Sequence, residues 1–192
     1  MAAVSTIAVL TGQLGTGTAA TAAAQDTGSL DRLVGLLAER LETADTVAAV
    51  KWATAEREGT RPVIDDPARE AVIYDAMARL GAQRDLPDAW VRQVFQGQIE
   101  ANKLVQRGLV TLWSNGAASA PAPTVDLTAI RPVIDRVNGE IIDELAGKRA
   151  ELDAPDCAAR LASSVLDTVS ERHSDPLHQA ALVRAAAPLC ER

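Results

Sequence analysis

Apolar residues recur at intervals of three and four along the body of the chain, and no strand-like alternation of apolar and polar residues persists. This spacing places apolar side chains on one face of an α-helix, where they pack against neighbouring helices. The pattern predicts an all-α protein, a single-domain bundle of about six helices. Its core must be mainly aliphatic, because aromatic residues make up only 3% of the chain.

Capping and helix-breaking residues predict the first three helix boundaries. Ser29 is a candidate N-cap for a long first helix that ends near Gly59. Asp66 can cap a second helix, with Pro67 in its first position. Pro87 opens a third helix.

The second half of the chain begins with a linker-like segment, residues 116–126, with the sequence GAASAPAPTVD. It is short enough to join two helical layers of one domain. Beyond it the apolar spacing predicts three more helices, over about 127–152, 155–173 and 174–190. A Ser-Asp-Pro sequence marks the start of the last one.

Length, charge and composition limit the classes of function. The chain has 192 residues, 47% of them hydrophobic, which suffices for one core. Its formal net charge is -7, and it has no run of Lys or Arg. We therefore expect no nucleic-acid partner and no attraction to an anionic membrane. No segment reaches the roughly 18 consecutive apolar residues of a membrane span.

The first 24 residues, 1–24, are uncharged and rich in Ala, Thr and Gly. Ala22 and Ala24 fit the small-residue pattern of a signal-peptidase site, although the basic n-region of a signal peptide is missing. A low-complexity tail is the alternative. We predict a signal peptide cleaved near Ala24, a secreted or periplasmic protein, and a mature helical domain over residues 25–192.

Two cysteines, Cys157 and Cys190, lie in the last quarter of the chain. An even pair in an exported protein is usually a disulfide, and two buried thiols are the alternative. A metal site is not expected, because the spacing of His173 and His178 does not place both rings on one helical face.

Polar and charged residues interrupt the apolar helical pattern at several positions in the first three helices. Arg40 and Lys51 are eleven residues apart, which returns them to nearly the same face about 16 Å apart. Asn102 and Gln106 share a face at i,i+4 spacing. Because burying unpaired charge costs several kcal/mol, the set predicts a site for a small anionic ligand. Its members are Arg40, Lys51, Asp66, Arg69, Glu70, Asn102 and Gln106.

No nucleophile with a positioned base accompanies this set. His173, Ser174 and Asp175 are consecutive and cannot form a catalytic triad among themselves. The site suits a reaction that needs orientation and electrostatic stabilisation but no nucleophile, metal or cofactor.

The order of these motifs resembles the AroQ-type (type II) chorismate mutases. Arg40 and Lys51 are followed by PVIDDPARE and then by QIEANKLVQ, in the family's order. The leader, the added C-terminal helices and the late cysteine pair are similar to the secreted gamma subclass. The likeness is close over residues 29–113 and looser over 126–192, and Leu-Pro-Asp replaces the family's frequent Leu-Asp-Pro at residues 86–88.

The resemblance implies an all-helical, cofactor-independent enzyme that converts chorismate to prephenate, and a homodimer. It implies that Arg40 binds a substrate carboxylate and that Arg131, after the linker, completes the site within one chain. Lys51 would contact both a carboxylate and the ether oxygen, Gln106 would donate to the same ether oxygen, and Glu70 would accept from the ring hydroxyl. Asp66 and Arg69 would shape that side of the pocket, and Asn102 matches a position where the family carries a small polar residue.

Two other functions fit the same sequence. An isochorismate pyruvate-lyase on this scaffold would use a similar cationic site for a related dianion. A secreted helical interaction protein with a vestigial pocket is the second alternative, although the complete set of polar residues argues against decay.

Overall fold

The computed structural model describes residues 29–191, and the predicted leader lies outside them. Helices account for most of the described chain and no β-strand occurs in it, so the all-α prediction is confirmed. None of the described helices combines the length and apolarity needed to cross a membrane. The helices are α1 (Asp31–Glu58), α2 (Pro67–Ala82), α3 (Asp88–Ser114), α4 (Leu127–Gly147), α5 (Arg149–Asp153), α6 (Cys157–Arg172), α7 (Pro176–Ala186) and a terminal 3-10 helix (Ala187–Cys190).

Local signals set most of the helix ends. Gly59 ends α1 with a left-handed φ of 65°, a conformation that glycine adopts without steric cost. The Asp66 carboxylate accepts a hydrogen bond from the backbone N–H of Arg69 at 3.0 Å and caps α2, whose first residue is Pro67. Ser29 is not the N-cap of α1, which is Leu30, but its Oγ accepts from the N–H of the first helical residue.

The fourth predicted helix is divided in the structure. The sequence pattern predicts one helix over about 127–152, whereas α4 ends at Gly147 and α5 begins at Arg149. Lys148 joins them with φ -104° and ψ 18°. A glycine inside a helix lowers its stability by about 1 kcal/mol relative to alanine, so extending α4 beyond Gly147 would add little stability. The division raises the number of α-helices from the expected six to seven within the described residues.

Helix α1 lies at the centre of the bundle and packs against α3, α4, α6 and α7. Its apolar face is almost wholly aliphatic, as the composition requires. Residues 116–126, between α3 and α4, form no helix. Fully buried side chains of the core include Leu33, Leu37, Val91, Val94, Phe95, Ile141, Ile142, Leu145 and Leu189.

Helix α7 and the terminal 3-10 helix pack against α3. A Cβ at Gly97 would lie 2.8 Å from Cγ of Pro188, so the absence of a side chain allows this close approach. Trp90 donates from Nε1 to the backbone oxygen of Pro188 at 3.2 Å. These contacts fix the terminal 3-10 helix against α3.

Polar contacts attach α7 to α1. Asp175 caps α7 by accepting from the backbone N–H of Leu177 at 2.8 Å. His178 lies between two carboxylates, with Nε2 3.0 Å from Asp45 and Nδ1 2.6 Å from Asp175. The hydrogen bond with Asp45 outweighs burial and raises the pKa of His178 to about 9, so the imidazolium persists at neutral pH.

A disulfide joins Cys157, the first residue of α6, to Cys190 at the end of the terminal 3-10 helix. The two Cα atoms are 5.9 Å apart, and the cysteines lie 33 positions apart in sequence. The bond closes a loop that contains both α6 and α7. It therefore limits the unfolded ensemble of the whole C-terminal layer.

Reduction of this disulfide is predicted to lower the free energy of unfolding by about 3 to 4 kcal/mol, the loop-entropy value for a closure of this size. Denaturant unfolding with and without reductant measures the loss, with C157S/C190S as the matched variant. Protein made in an oxidising compartment and alkylated without reduction should show no labelled thiol by mass spectrometry. Two labelled cysteines would contradict the prediction.

Candidate active site

A cavity of about 180 Å³ opens between α1, α2, α3 and α4. Its walls include apolar side chains from each of these helices, such as Val47, Ile73, Ile99 and Ile130. The structure brings all eight residues that were predicted for the site to this one cavity: Arg40, Lys51, Asp66, Arg69, Glu70, Asn102, Gln106 and Arg131.

The lining of the cavity is positively charged. Five cationic and two acidic side chains contribute to it, a net charge of +3 in a chain whose net charge is -7. An apolar wall lowers the local dielectric and strengthens the attraction of these cations for an anion. The cationic members are Arg40, Lys51, Arg69, Lys103 and Arg131, and the acidic members are Asp66 and Glu70.

Arg40 is the most deeply buried cation of the site, with 4% of its surface exposed. Its Nε donates to Oδ1 of Asn138 on α4 at 2.7 Å, and its Nη1 donates to the backbone oxygen of Gln98 on α3 at 3.3 Å. Burial lowers the pKa of Arg40 to about 10, which still leaves it charged at neutral pH. Nη2 has no hydrogen-bond partner within residues 29–191, so it is available to a ligand.

Lys51 and Gln106 meet across the cavity wall. The Nζ of Lys51 donates to Oε1 of Gln106 and to the backbone oxygen of Ile64, both at 3.1 Å. Because Oε1 accepts from Lys51, the amide nitrogen of Gln106 is the end left to donate to a ligand. Burial lowers the pKa of Lys51, and the carboxylates of Asp66, Asp65 and Glu70 oppose that effect.

The first turn of α2 supplies the acidic part of the site. Asp66 is engaged as the helix cap, and its own backbone N–H lies 3.4 Å from Oε1 of Glu70. Glu70 is half-buried and lies against α3, where it accepts from Lys103. A carboxylate in this position can accept a hydrogen bond from a ligand hydroxyl.

Arg69 and Arg131 are exposed at the edge of the cavity, and neither side chain has a hydrogen bond or ion pair within the described residues. Arg131 comes from α4, on the far side of the linker. Asn102 donates from Nδ2 to the backbone oxygen of Gln98 at 3.3 Å, and this bond leaves the Asn102 side-chain oxygen able to accept from a ligand. The two arginines are thus free to bind an anion.

Two residues of the site were missed by the sequence reasoning. Lys103, the residue after the predicted site residue Asn102, also lines the cavity and is buried. Asn138 holds Arg40 from α4 and is 1% exposed. A signal for Asn138 exists, because it occupies an apolar position of the pattern formed with Val137 and Ile141. Lys103 offers no comparable signal, since lysine is ordinarily a solvated residue.

The site can bind a small, multiply charged anion and can place two N–H donors at one point. Within residues 29–191, no cluster of three or more His, Cys, Asp or Glu side chains is placed to hold a metal ion. The cations and hydrogen-bond donors that line the cavity can position an anion and stabilise negative charge on it.

Comparisons with known proteins agree with this chemistry. The family described as "Chorismate mutase type II" matches residues 30–107. A "Secreted chorismate mutase" of Mycobacterium tuberculosis is 36% identical over 174 residues, which cover 88% of this chain and 82% of the relative. A protein of the same description from Mycolicibacterium smegmatis is 33% identical over 169 residues, covering 88% and 90%.

Solved structures give the same result. The crystal structure of chorismate mutase from Burkholderia phymatum is similar with a TM-score of 0.78 and 31% identity, over 86% of this chain and 98% of that one. The corresponding protein from Burkholderia thailandensis has a TM-score of 0.77 and 32% identity, over 86% and 100%. Sequence and fold agree over most of the described chain, and the chain belongs to the type II chorismate mutase family.

Proposed function

We propose that this protein is an exported chorismate mutase, an isomerase that rearranges chorismate to prephenate without a cofactor. The observation that carries the proposal is the cavity with five cationic and two acidic side chains on apolar walls. Chorismate is a dianion with a ring hydroxyl and an ether oxygen. Each of these groups has a complementary side chain in the cavity.

Arg40 and Arg131 are proposed to clamp the two carboxylates of the substrate. Arg40 is held rigidly by α3 and α4, whereas Arg131 has no hydrogen-bond partner within the described residues. The rearrangement is unimolecular and requires the flexible side chain of chorismate to fold over the ring. Fixing both carboxylates supplies that orientation.

Lys51 and Gln106 are proposed to stabilise the breaking bond. The C–O bond breaks ahead of C–C bond formation, which leaves partial negative charge on the ether oxygen. The Nζ of Lys51 and the amide of Gln106 are already within hydrogen-bond distance of each other, so both can donate to one oxygen without rearrangement. One preorganised donor of this kind is typically worth about 3 to 4 kcal/mol.

Glu70 is proposed to accept a hydrogen bond from the ring hydroxyl. Arg69 and Asp66 shape the same side of the pocket, one as a free cation at the edge and the other as the cap of α2. Asn102 completes the wall from α3 as a small polar residue.

Export is inferred from the leader-like residues 1–24 and from the relatives described as secreted. A disulfide in the mature domain agrees with an oxidising compartment. Signal-peptide cleavage near Ala24 and homodimeric assembly stay predictions of the sequence and of the family resemblance. N-terminal sequencing of the secreted protein and analytical ultracentrifugation test them.

The purified mature protein is predicted to convert chorismate to prephenate after exhaustive dialysis against a chelator. The reason is that the described side chains supply all the electrostatic stabilisation in the proposed mechanism. Product identification by chromatography is the measurement. Release of pyruvate with a hydroxybenzoate would identify a lyase instead, and loss of activity that a divalent ion restores would refute the cofactor-independent mechanism.

Arg40→Ala and Lys51→Ala are each predicted to lower kcat/KM by at least about a hundredfold, because each removes a charge-assisted contact in a water-poor site. Steady-state kinetics measures the loss, and circular dichroism verifies that helicity is kept. Arg136→Ala is the control, since Arg136 is exposed and lies outside the cavity. Values of kcat/KM within a few-fold of wild type would remove Arg40 or Lys51 from the mechanism.

Gln106→Glu is predicted to make activity depend on the protonation of the new carboxyl group. An amide donates at every pH, whereas a carboxyl donates only when protonated and repels the developing negative charge when ionised. The variant should therefore be active at acidic pH and lose activity as pH rises through the pKa of that carboxyl, and Gln106→Ala should be poor throughout. Parallel pH–rate profiles for wild type and Gln106→Glu would show that Gln106 does not contact the breaking bond.

A further inference from the structure

Lys103 lines the cavity but has no part in the mechanism described above. Its side chain is only 11% exposed, and its Nζ lies among three carboxylates. The distances from Nζ are 2.5 Å to Glu100, 3.1 Å to Glu70 and 3.3 Å to Asp65. An ammonium group has three N–H donors, so these carboxylates can engage all of them.

This arrangement distinguishes Lys103 from the other cations of the cavity. Arg40 and Lys51 donate to neutral oxygens, and the guanidinium groups of Arg69 and Arg131 have no hydrogen-bond partner within residues 29–191. Among the cations that line the cavity in the described chain, only Lys103 forms ion pairs with carboxylates. Burial alone would lower the pKa of Lys103, but its three carboxylate partners outweigh burial and raise it, so the ammonium remains charged.

Glu70 is the partner of Lys103 that also lines the cavity. Both of its oxygens lie within reach of Nζ, at 3.1 Å for Oε1 and 3.3 Å for Oε2. Oε1 is additionally 3.4 Å from the backbone N–H of Asp66. Together these two donors fix the plane of the carboxylate, and Oε2 keeps a lone pair for a ligand hydroxyl.

A carboxylate in the wall of a pocket for a dianion creates a conflict. It is needed to accept from the ring hydroxyl, but its charge repels both carboxylates of the substrate. The Lys103 ammonium, about 3 Å away, opposes that field and leaves the hydrogen-bonding geometry in place.

We propose that Lys103 is a positioning residue of the mutase site, which orients the Glu70 carboxylate and neutralises its repulsion of the dianionic substrate. This inference rests on the proposed function. Lys103 acts through Glu70 and does not contact the substrate. Removal of the Lys103 ammonium should therefore lower kcat/KM only while the Glu70 side chain is charged.

A double-mutant cycle on kcat/KM for chorismate tests this inference. K103M should lower kcat/KM at least about tenfold, mainly through KM, because the unmasked charge repels bound substrate and transition state alike. In the E70Q background the same K103M substitution should change kcat/KM by less than about threefold. Equal losses in the two backgrounds, or no loss in either, would overturn the proposal.

Glu100 provides the matched control, because it forms an ion pair with the same Nζ but does not line the cavity. In the E100Q background K103M should lower kcat/KM by the same factor as in wild type. K103R, which keeps the positive charge, should have a KM within about threefold of the wild-type value. A K103M effect that E100Q abolishes as fully as E70Q would indicate a general structural role and contradict the proposal.

Thermal unfolding of each variant separates folding from function. If K103M does not fold, K103Q replaces it in the cycle, and failure of both neutral variants to fold in the wild-type and E70Q backgrounds would identify Lys103 as a structural residue and overturn the inference. Wild-type protein that does not consume chorismate would refute the proposed function itself. An active wild type with an uncoupled Lys103 would refute only this inference.

Discussion

The guanidinium of Arg40 is buried among neutral hydrogen-bond partners, and this arrangement constrains the rest of the site. Asn138 and the carbonyl of Gln98 orient the group, but no carboxylate forms an ion pair with it within the described residues. Burying a charge in this way costs several kcal/mol, which the packing of α1, α3 and α4 must supply. In the proposed function, an anionic ligand paired with Arg40 would offset that cost and stabilise the folded protein.

The position of the buried Arg40 depends on helices that do not line the cavity in the described chain. Helix α1 carries Arg40 and Lys51, and α6 and α7 pack against it. Ser164 of α6 donates to Asp31 at 2.6 Å, and His178 of α7 lies 3.0 Å from Asp45. The disulfide secures the two C-terminal helices in turn. The C-terminal layer thus contributes to the site without lining it, because it fixes the helix that presents two of the cations.

Local and periodic signals account for what the sequence could predict. Helical periodicity alone places Arg40 and Lys51 on one face, and the capping preference of Asp66 fixes the start of α2. The bend at Lys148 and the burial of Lys103 depend on tertiary contacts, which no short window of sequence contains. Asn138 lies 98 positions from the arginine it binds, so its partner could be identified only from the fold.

The hydrogen bond between Lys51 and Gln106 brings polar groups of two separate helices together at one part of the cavity. Lys51 comes from α1 and Gln106 from α3, and the 3.1 Å contact decides which end of the amide faces the cavity. If the amide were reversed, its nitrogen and the Lys51 ammonium would be two donors facing each other, and the amide oxygen would face the cavity. In the proposed mechanism the Lys51 ammonium therefore has two roles, donation to the ligand and selection of the amide orientation of Gln106. Because this orientation exists before any ligand binds, the site need not reorganise as charge develops in the transition state.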